Sequence, residues 1–300
     1  METELSGNNL KPKRLSVVIP NYNHGHYLEE RISSILQQLG PEDEFILVDD
    51  ASTDNSVEII QKFQDPRLFL YQNKVNKGVA ETFLRGVKAS KGSFLFGTSA
   101  DDKLAPHFIE TAMNAFAEDP RVALFCSDYA TFDPPTSYKI IPRATGLQIL
   151  SPSDTLKLCR TTAFRVSGHT TIVKMKTFWD YGAMDGKLGP YCDWFLWHTI
   201  ALQEKIAYLP QVLAYHRLDK NNFSKKHNTA AIRQALLLKL SSKEMAPLNK
   251  LFCKSTLLYP FVRKNLTWAL KHPCLWRVFA YTICMNTLKR WKLSLAKRIP

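Results

Sequence analysis

The feature that most constrains this chain is an alternation near its start. Short apolar runs, "RLSVVIP" (14–20), "EFILVDD" (44–50), "RLFLYQN" (67–73) and the "FLF" of 94–96, are separated by segments with helical spacing. Between the first two, Leu28, Ile32, Ile35, Leu36 and Leu39 keep helical intervals, and Gly40-Pro41 stops the helix. Strands that are apolar along their length are buried on both faces, and parallel neighbours need a crossover helix. The pattern therefore predicts an α/β chain: an open, mostly parallel sheet with helices on both faces.

Ligands in such sheets bind beyond the carboxyl ends of the strands. Three strand ends here carry "PNYN", "VDDAS" and "TSADD", which are expected to converge on one crevice. Adjacent carboxylates such as Asp101 and Asp102 repel each other and resist burial. They are therefore expected at the rim, facing a ligand, and not in the core.

Further along, the sequence predicts a helix over 106–117, a strand over 122–132, a Pro-rich loop over 133–146, a short helix over 153–161 and a strand over 169–175. A helix over 191–203 opening at Asp193 and short strands within 206–218 follow. After Ser224 the composition changes. From Arg233 onward lie 14 of the 40 Lys and Arg but one of the 27 acids, so the formal charge of +13 belongs to the tail. The rest of the chain is balanced, no recognised nucleic-acid module is present, and a nucleic-acid role is set aside. The chain divides into a domain at 14–228 and a basic helical C-terminal region at 229–300.

None of the six cysteines forms a C-x-x-C pair, which argues for reduced core thiols in a cytosolic protein. The first residues, "METELSGNNLKPKR", lack an apolar signal core, and no run of 18 uncharged apolar residues follows. A cytoplasmic protein is expected. The tail stretch "WALKHPCLWRVFAYTICMNTLKRWKLSLAKR" mixes Trp, Phe and Leu with Lys and Arg. It reads as a helix on an anionic membrane surface, peripheral on the inner face. The plainer alternative is a helical tail packed on the domain with its basic face solvated.

Each motif has two readings. Asp101-Asp102 is a site for Mg²⁺ or Mn²⁺, ions that take one or two carboxylates and complete their shell with phosphates and water, or else a solvated turn. In "VDDASTD", Asp50 could accept the imide N–H of a uracil ring, while Ser52, Thr53 and Asp54 are helix-capping types. Pro20 and Tyr22 would make a stacking wall for a base; a lone Tyr is also an ordinary core residue. Lys77 in "NKG" would meet a phosphate or sit on an exposed turn. Asp193 is a helix cap, or a general base against a dry wall of Trp194, Phe195 and Trp197.

Taken together, "VVIPNYN", "ILVDDASTD", "NKG", "SADDKLAP" and "CDWFLWHTIAL" resemble the family 2 glycosyltransferases of GT-A fold, over roughly residues 14–224 and in the family's order. The resemblance implies a nucleotide-sugar donor, held at its base by Pro20, Tyr22 and Asp50. Asp101 would contact the ribose or metal, and Asp102 would bind Mg²⁺ or Mn²⁺ bridging the diphosphate. Asp193 would take the proton of an acceptor hydroxyl on a glycan or lipid-linked glycan. Arg217 and Ser224, with His216 nearby, would approach the diphosphate from a mobile C-terminal side. Two departures stand out. Ser99 occupies a position where many members have Asp, and "TFLRG" (82–86) replaces an "ARNxG" helix. Ser99 raises the alternative of an inactive homologue that only binds nucleotide sugars. A nucleotidyltransferase would be expected to carry a Gly-rich phosphate loop, and a processive synthase spanning helices; neither is seen in the sequence.

Overall fold

The computed structural model describes residues 14–132, 146–162, 164–218, 227 and 229–242, with isolated positions between 245 and 275. Nine strands form one sheet. They are β1 (Leu15–Asn21), β2 (Glu44–Asp49), β3 (Leu68–Gln72), β4 (Phe94–Gly97), β5 (Lys103–Leu104), β6 (Leu124–Phe132), β7 (Gln148–Leu150), β8 (Ile172–Lys174) and β9 (Ile206–Arg217). The order is β3-β2-β1-β4-β8-β6-β9-β5, with β7 pairing β9. The first four strands in this order are parallel, as their continuous apolar runs predict. β8 then enters antiparallel between β4 and β6, while β6 and β9 run parallel.

Eight α-helices are described: α1 (Gly25–Leu36), α2 (Ser56–Gln61), α3 (Val79–Ala89), α4 (Phe108–Glu118), α5 (Pro152–Thr161), α6 (Met175–Asp180), α7 (Cys192–Ala201) and α8 (Ala230–Ser241). The two-residue period of a strand splits its side chains between faces. Val17, Ile19, Phe45 and Leu47 pack with Leu28, Ile32 and Ile35 of α1 and Phe108 of α4. Val18, Ile46 and Val48 face the other way, onto Phe83 and Val87 of α3. Gly86 lets α3 approach closely, since a Cβ there would meet Val18 Cγ1 at 2.5 Å.

The second apolar cluster continues through α7 into the tail. Leu236, Leu237 and Leu240 of α8 are buried in it, as are Leu248, Phe252, Leu257, Leu258 and Leu275. Phe252 stacks on Phe195 of α7 at 5.8 Å between centroids. Most described apolar residues of the tail are therefore buried against the domain, while Leu238 is exposed. Most of the basic stretch 268–298 lies outside the described residues. No helix among them is long and apolar enough to cross a membrane. Cys126, Cys159 and Cys192 are buried thiols outside any disulfide. The two shortest early strands, β5 and β7, have no sequence signal; two or three residues are too few to show a period.

Candidate active site

The strand tips converge as the topology requires: β2, β1 and β4 are neighbours, with Asn21 opposite Asp49 in register. The two acids of "VDD" divide the work. Asp49 is turned inward and accepts from Asn21 Nδ2 at 2.8 Å and from Ser52 N at 2.9 Å, which fixes the turn. Ala51 adopts a left-handed conformation there, φ 61°, uncommon for a residue with a Cβ. Asp50 is also buried. It accepts from Lys77 N and Gly78 N, each at 2.9 Å, and from Asn73 Nδ2 at 2.7 Å. Burial pushes its carboxyl upward, and these donors, with Thr82 behind Asn73, outweigh burial and hold it below its usual value.

Lys77 therefore serves through its backbone. Its ammonium lies 3.2 Å from Glu81 on the surface of α3, an exposed ion pair. Asn73 was not singled out in the sequence, yet it links Asp50 to Arg85, whose Nη1 donates to Asn73 Oδ1 at 2.5 Å. Tyr22 stands 44% exposed beside this acid, with Pro20 half-buried at the end of β1.

The expectation that both acids of the 101–102 pair lie at the rim is overturned. Asp102 is 3% exposed. Its Oδ2 lies 2.5 Å from His169 Nδ1 and accepts the Ser99 hydroxyl at 2.5 Å. Its Oδ1 lies 3.1 Å from His216 Nδ1 and accepts Arg217 N–H at 2.9 Å. Burial alone would raise this carboxyl; the two imidazoles reverse that and hold it well below the carboxylate range. These partners outweigh the mutual repulsion of the adjacent carboxylates. Asp101 remains half-exposed.

A buried cation underlies the same loop. Arg31 of α1 is 1% exposed and donates from Nε to Ser99 O at 3.0 Å and from Nη2 to Thr98 Oγ1 at 2.6 Å. Its Nη1 has no partner among the described residues. Burial lowers its pKa to about 10, against the pull of Asp102 and Asp101, so it stays charged at neutral pH.

The Arg217 guanidinium is sandwiched between Tyr27 at 4.2 Å and Phe132 at 4.4 Å, and Nε donates to Asp101 O at 3.0 Å. Ser224 lies outside the described residues.

Asp193 is the second residue of α7 rather than its cap, which is Tyr191. Its Oδ1 accepts from Trp194 N at 2.6 Å. Burial raises its pKa, against the Trp194 N–H and the charge of His169. The expected wall is partly redrawn. Phe195 points to the tail, whereas Trp197 sits beside the carboxylate, its Nε1 without a partner among the described residues. Gly168, at the head of the 3-10 turn Gly168–Thr170, packs on Asp193; a Cβ there would lie 2.6 Å from Oδ2 and 3.4 Å from Trp197 Nε1. The next residue is His169. One short turn therefore touches both Asp193 and Asp102.

Among the described residues, Asp102, His169 and His216 form a group whose ligand atoms lie within 4.8 Å of one another. A carboxylate with two imidazoles is a donor set that fits a divalent transition ion. Asp101 lies outside this group.

The family model for "Glycosyl transferase family 2" matches residues 16–182, more than half of the chain. The chain belongs to glycosyl transferase family 2. The "Glycosyltransferase GlyG" of Streptococcus pneumoniae serotype 4 is 40% identical over 99 residues, 32% of this chain and 33% of that protein. The "Putative teichuronic acid biosynthesis glycosyltransferase TuaG" of Bacillus subtilis is 31% identical over 112 residues, 37% of this chain and 44% of that protein. The chain thus matches a third to under a half of the length of these relatives. Among solved structures, S. aureus TarS 1-349 in complex with UDP-GlcNAc has a TM-score of 0.67 at 17% identity, covering 90% of this chain and 79% of that one. The mannosyltransferase PcManGT from Pyrobaculum calidifontis, in complex with GDP-Man and Mn2+, has a TM-score of 0.56 at 16% identity, covering 96% and 91%. These structures share the GT-A fold expected of the family member described here.

Proposed function

We propose that this family 2 member is an inverting glycosyltransferase. It moves a sugar from a nucleotide donor, a UDP-sugar, to a hydroxyl of a glycan or lipid-linked glycan during cell-surface polysaccharide synthesis. The observation that carries the reading is the turn 167–170, which sets Asp193 against Gly168 and His169 against Asp102. A base and a metal-binding carboxylate held against one short turn are what displacement at an anomeric carbon needs. TuaG and the nucleotide-sugar complexes of TarS and PcManGT support the substrate class.

In this reading Tyr22 and Pro20 stack on the base and Asp50 stands at its edge. Asp102, with His169 and His216, would hold the divalent ion. When bound, that ion supplies neutralisation of the departing diphosphate, so no general acid is required. Asp193 takes the acceptor's proton as the hydroxyl attacks C1 from the face opposite the leaving group. Its raised pKa suits a base. The division at 228/229 and an anionic membrane surface for the basic tail belong to the same proposal. They are supported by the 14 Lys and Arg from Arg233 onward.

A thermal-shift panel of nucleotide sugars with Mn²⁺ tests the donor; no shift with any of them would refute the reading. A second reading, a nucleotide-sugar-binding protein without transfer, draws on Ser99. Mn²⁺-dependent hydrolysis of the stabilising sugar nucleotide separates the two, since the binding protein would show none. Liposome sedimentation with and without residues 231–300 tests the membrane surface; equal pelleting would dismiss it.

A further inference from the structure

The group around Asp102 has an unusual balance of donors. One carboxylate meets two imidazole nitrogens, and the other side chain bonded to it is the hydroxyl of Ser99. His169 and His216 stack at 4.2 Å between centroids, 29° apart in plane, and both present Nδ1 to the carboxylate, one to each oxygen. Ligands about 2.1 Å from one ion stand roughly 3 Å apart when adjacent and about 4.2 Å apart when opposite. The observed spread of 4.8 Å therefore closes on an ion with sub-ångström shifts. Both rings keep an exposed edge, 27% and 21% of their side chains, and the ring of Tyr129 flanks them. Coordination positions on that side are left for oxygens of another molecule.

Asp50 shows that a buried carboxylate of this chain can be fixed by amide donors alone. Two converging imidazoles are more than a structural ion pair needs. Mg²⁺ demands oxygen donors in near-ideal octahedra, whereas imidazole nitrogen suits the first-row transition ions, with affinity rising from Mn²⁺ through Co²⁺.

We infer that His169 is a metal ligand and that, with His216, it makes the site select a divalent transition ion over Mg²⁺. The inference rests on the donor-binding reading above for its purpose, though not for its test. His169 also carries a geometric role. It comes from the turn whose Gly168 packs on Asp193, so an ion held by His169 is held at a set spacing from that carboxylate.

The test is Mn²⁺ binding, with and without UDP, by calorimetry and electron spin-echo modulation. The proteins are the full chain, His169→Asn, His169→Gln and His216→Asn, each checked for an unchanged melting transition. The wild type is expected to show modulation from two imidazole nitrogens and to bind Mn²⁺ at least tenfold more tightly than Mg²⁺. Each His169 variant is expected to show one nitrogen and at least tenfold weaker binding. Two nitrogens retained in a folded His169 variant, equal affinity for Mg²⁺ and Mn²⁺, or no Mn²⁺ binding under either condition would each overturn the inference. A chain that binds Mn²⁺ through two nitrogens yet transfers no sugar would refute the transferase reading and leave this one standing.

Discussion

Gly168 presents its bare Cα to Asp193: a side-chain carbon there would stand 2.6 Å from the carboxylate oxygen Oδ2. That is inside van der Waals contact, and the group it would strike is the proposed base. Gly168→Ala is expected to displace Asp193 and lower kcat by about 100-fold, the usual penalty of a misplacement near 1 Å. The KM for the donor should change little, because Asp50 and Tyr22 lie elsewhere. Steady-state kinetics would check this split; a loss confined to KM would speak against it.

Asp193→Asn removes the proton acceptor and keeps the shape. Transfer is expected to fall by roughly 10²–10⁴-fold, with nucleotide binding by calorimetry largely intact. Burial holds the carboxyl above its usual range. Activity that needs the ionised form should therefore fall as pH drops through that raised value, with an acid limb above the pH where an exposed Asp would protonate. A kcat profile without this limb would show that Asp193 is not the titrating base.

Arg31 is a cation at the floor of the 98–102 loop. Arg31→Met removes donors from Ser99 O and Thr98 Oγ1 and leaves Asp102 and Asp101 without it. The expected destabilisation is about 2 kcal/mol, since unsatisfied buried acceptors cost roughly 1–3 kcal/mol each. Mn²⁺ binding should weaken as the loop loosens. Arg31→Lys should restore part of the stability but less of the binding, because an ammonium cannot reproduce the two-point fork. Urea denaturation and calorimetry would show whether the two losses separate in this way.

His198 gives a signature in stability rather than activity. Its Nε2 accepts Val166 N–H at 3.2 Å and its Nδ1 lies 2.7 Å from Trp194 O, so the neutral ring pins the 164–167 segment to α7. Burial lowers its pKa to about 3. The unfolded chain gains this proton near pH 6.5 and the folded one far below. The contribution is thus whole above about pH 6.5 and is lost as pH falls, by up to about 1.4 kcal/mol per unit. His198→Gln should lack that slope. Denaturation midpoints at pH 7 and pH 5 compared between the two proteins would reveal the difference.

The parallel half of the sheet could be read directly, because burial on both faces writes itself as apolar runs at 17–20, 45–48 and 94–96. Asp50 and the 98–102 loop were legible as strand ends. His169 was not. It precedes a three-residue strand, and its nearness to Asp102 arises only when β8 enters antiparallel beside β4. Its one trace was a polar "SGHT" set before an apolar run. Arg31 could have been noticed as a charge on the apolar stripe of Leu28, Ile32 and Ile35, where a buried cation must have a purpose. Lys77 stands out in the sequence for its ammonium, whereas the bond of its N–H to Asp50 is visible only in the fold.

The four donors around Asp102 have a consequence for how the protein comes into being. His216 and Arg217 are 114 and 115 residues further along the chain than the acid they meet. The parallel strands β1 to β4 can pair as soon as they are made. Until residue 169 is made Asp102 has its near neighbours Ser99 and Arg31 but no imidazole, and until residue 216 it has one. The site is completed only when the end of β9 has left the ribosome, so any fragment that stops short of residue 217 carries the nucleotide-side strands without the metal-side constellation.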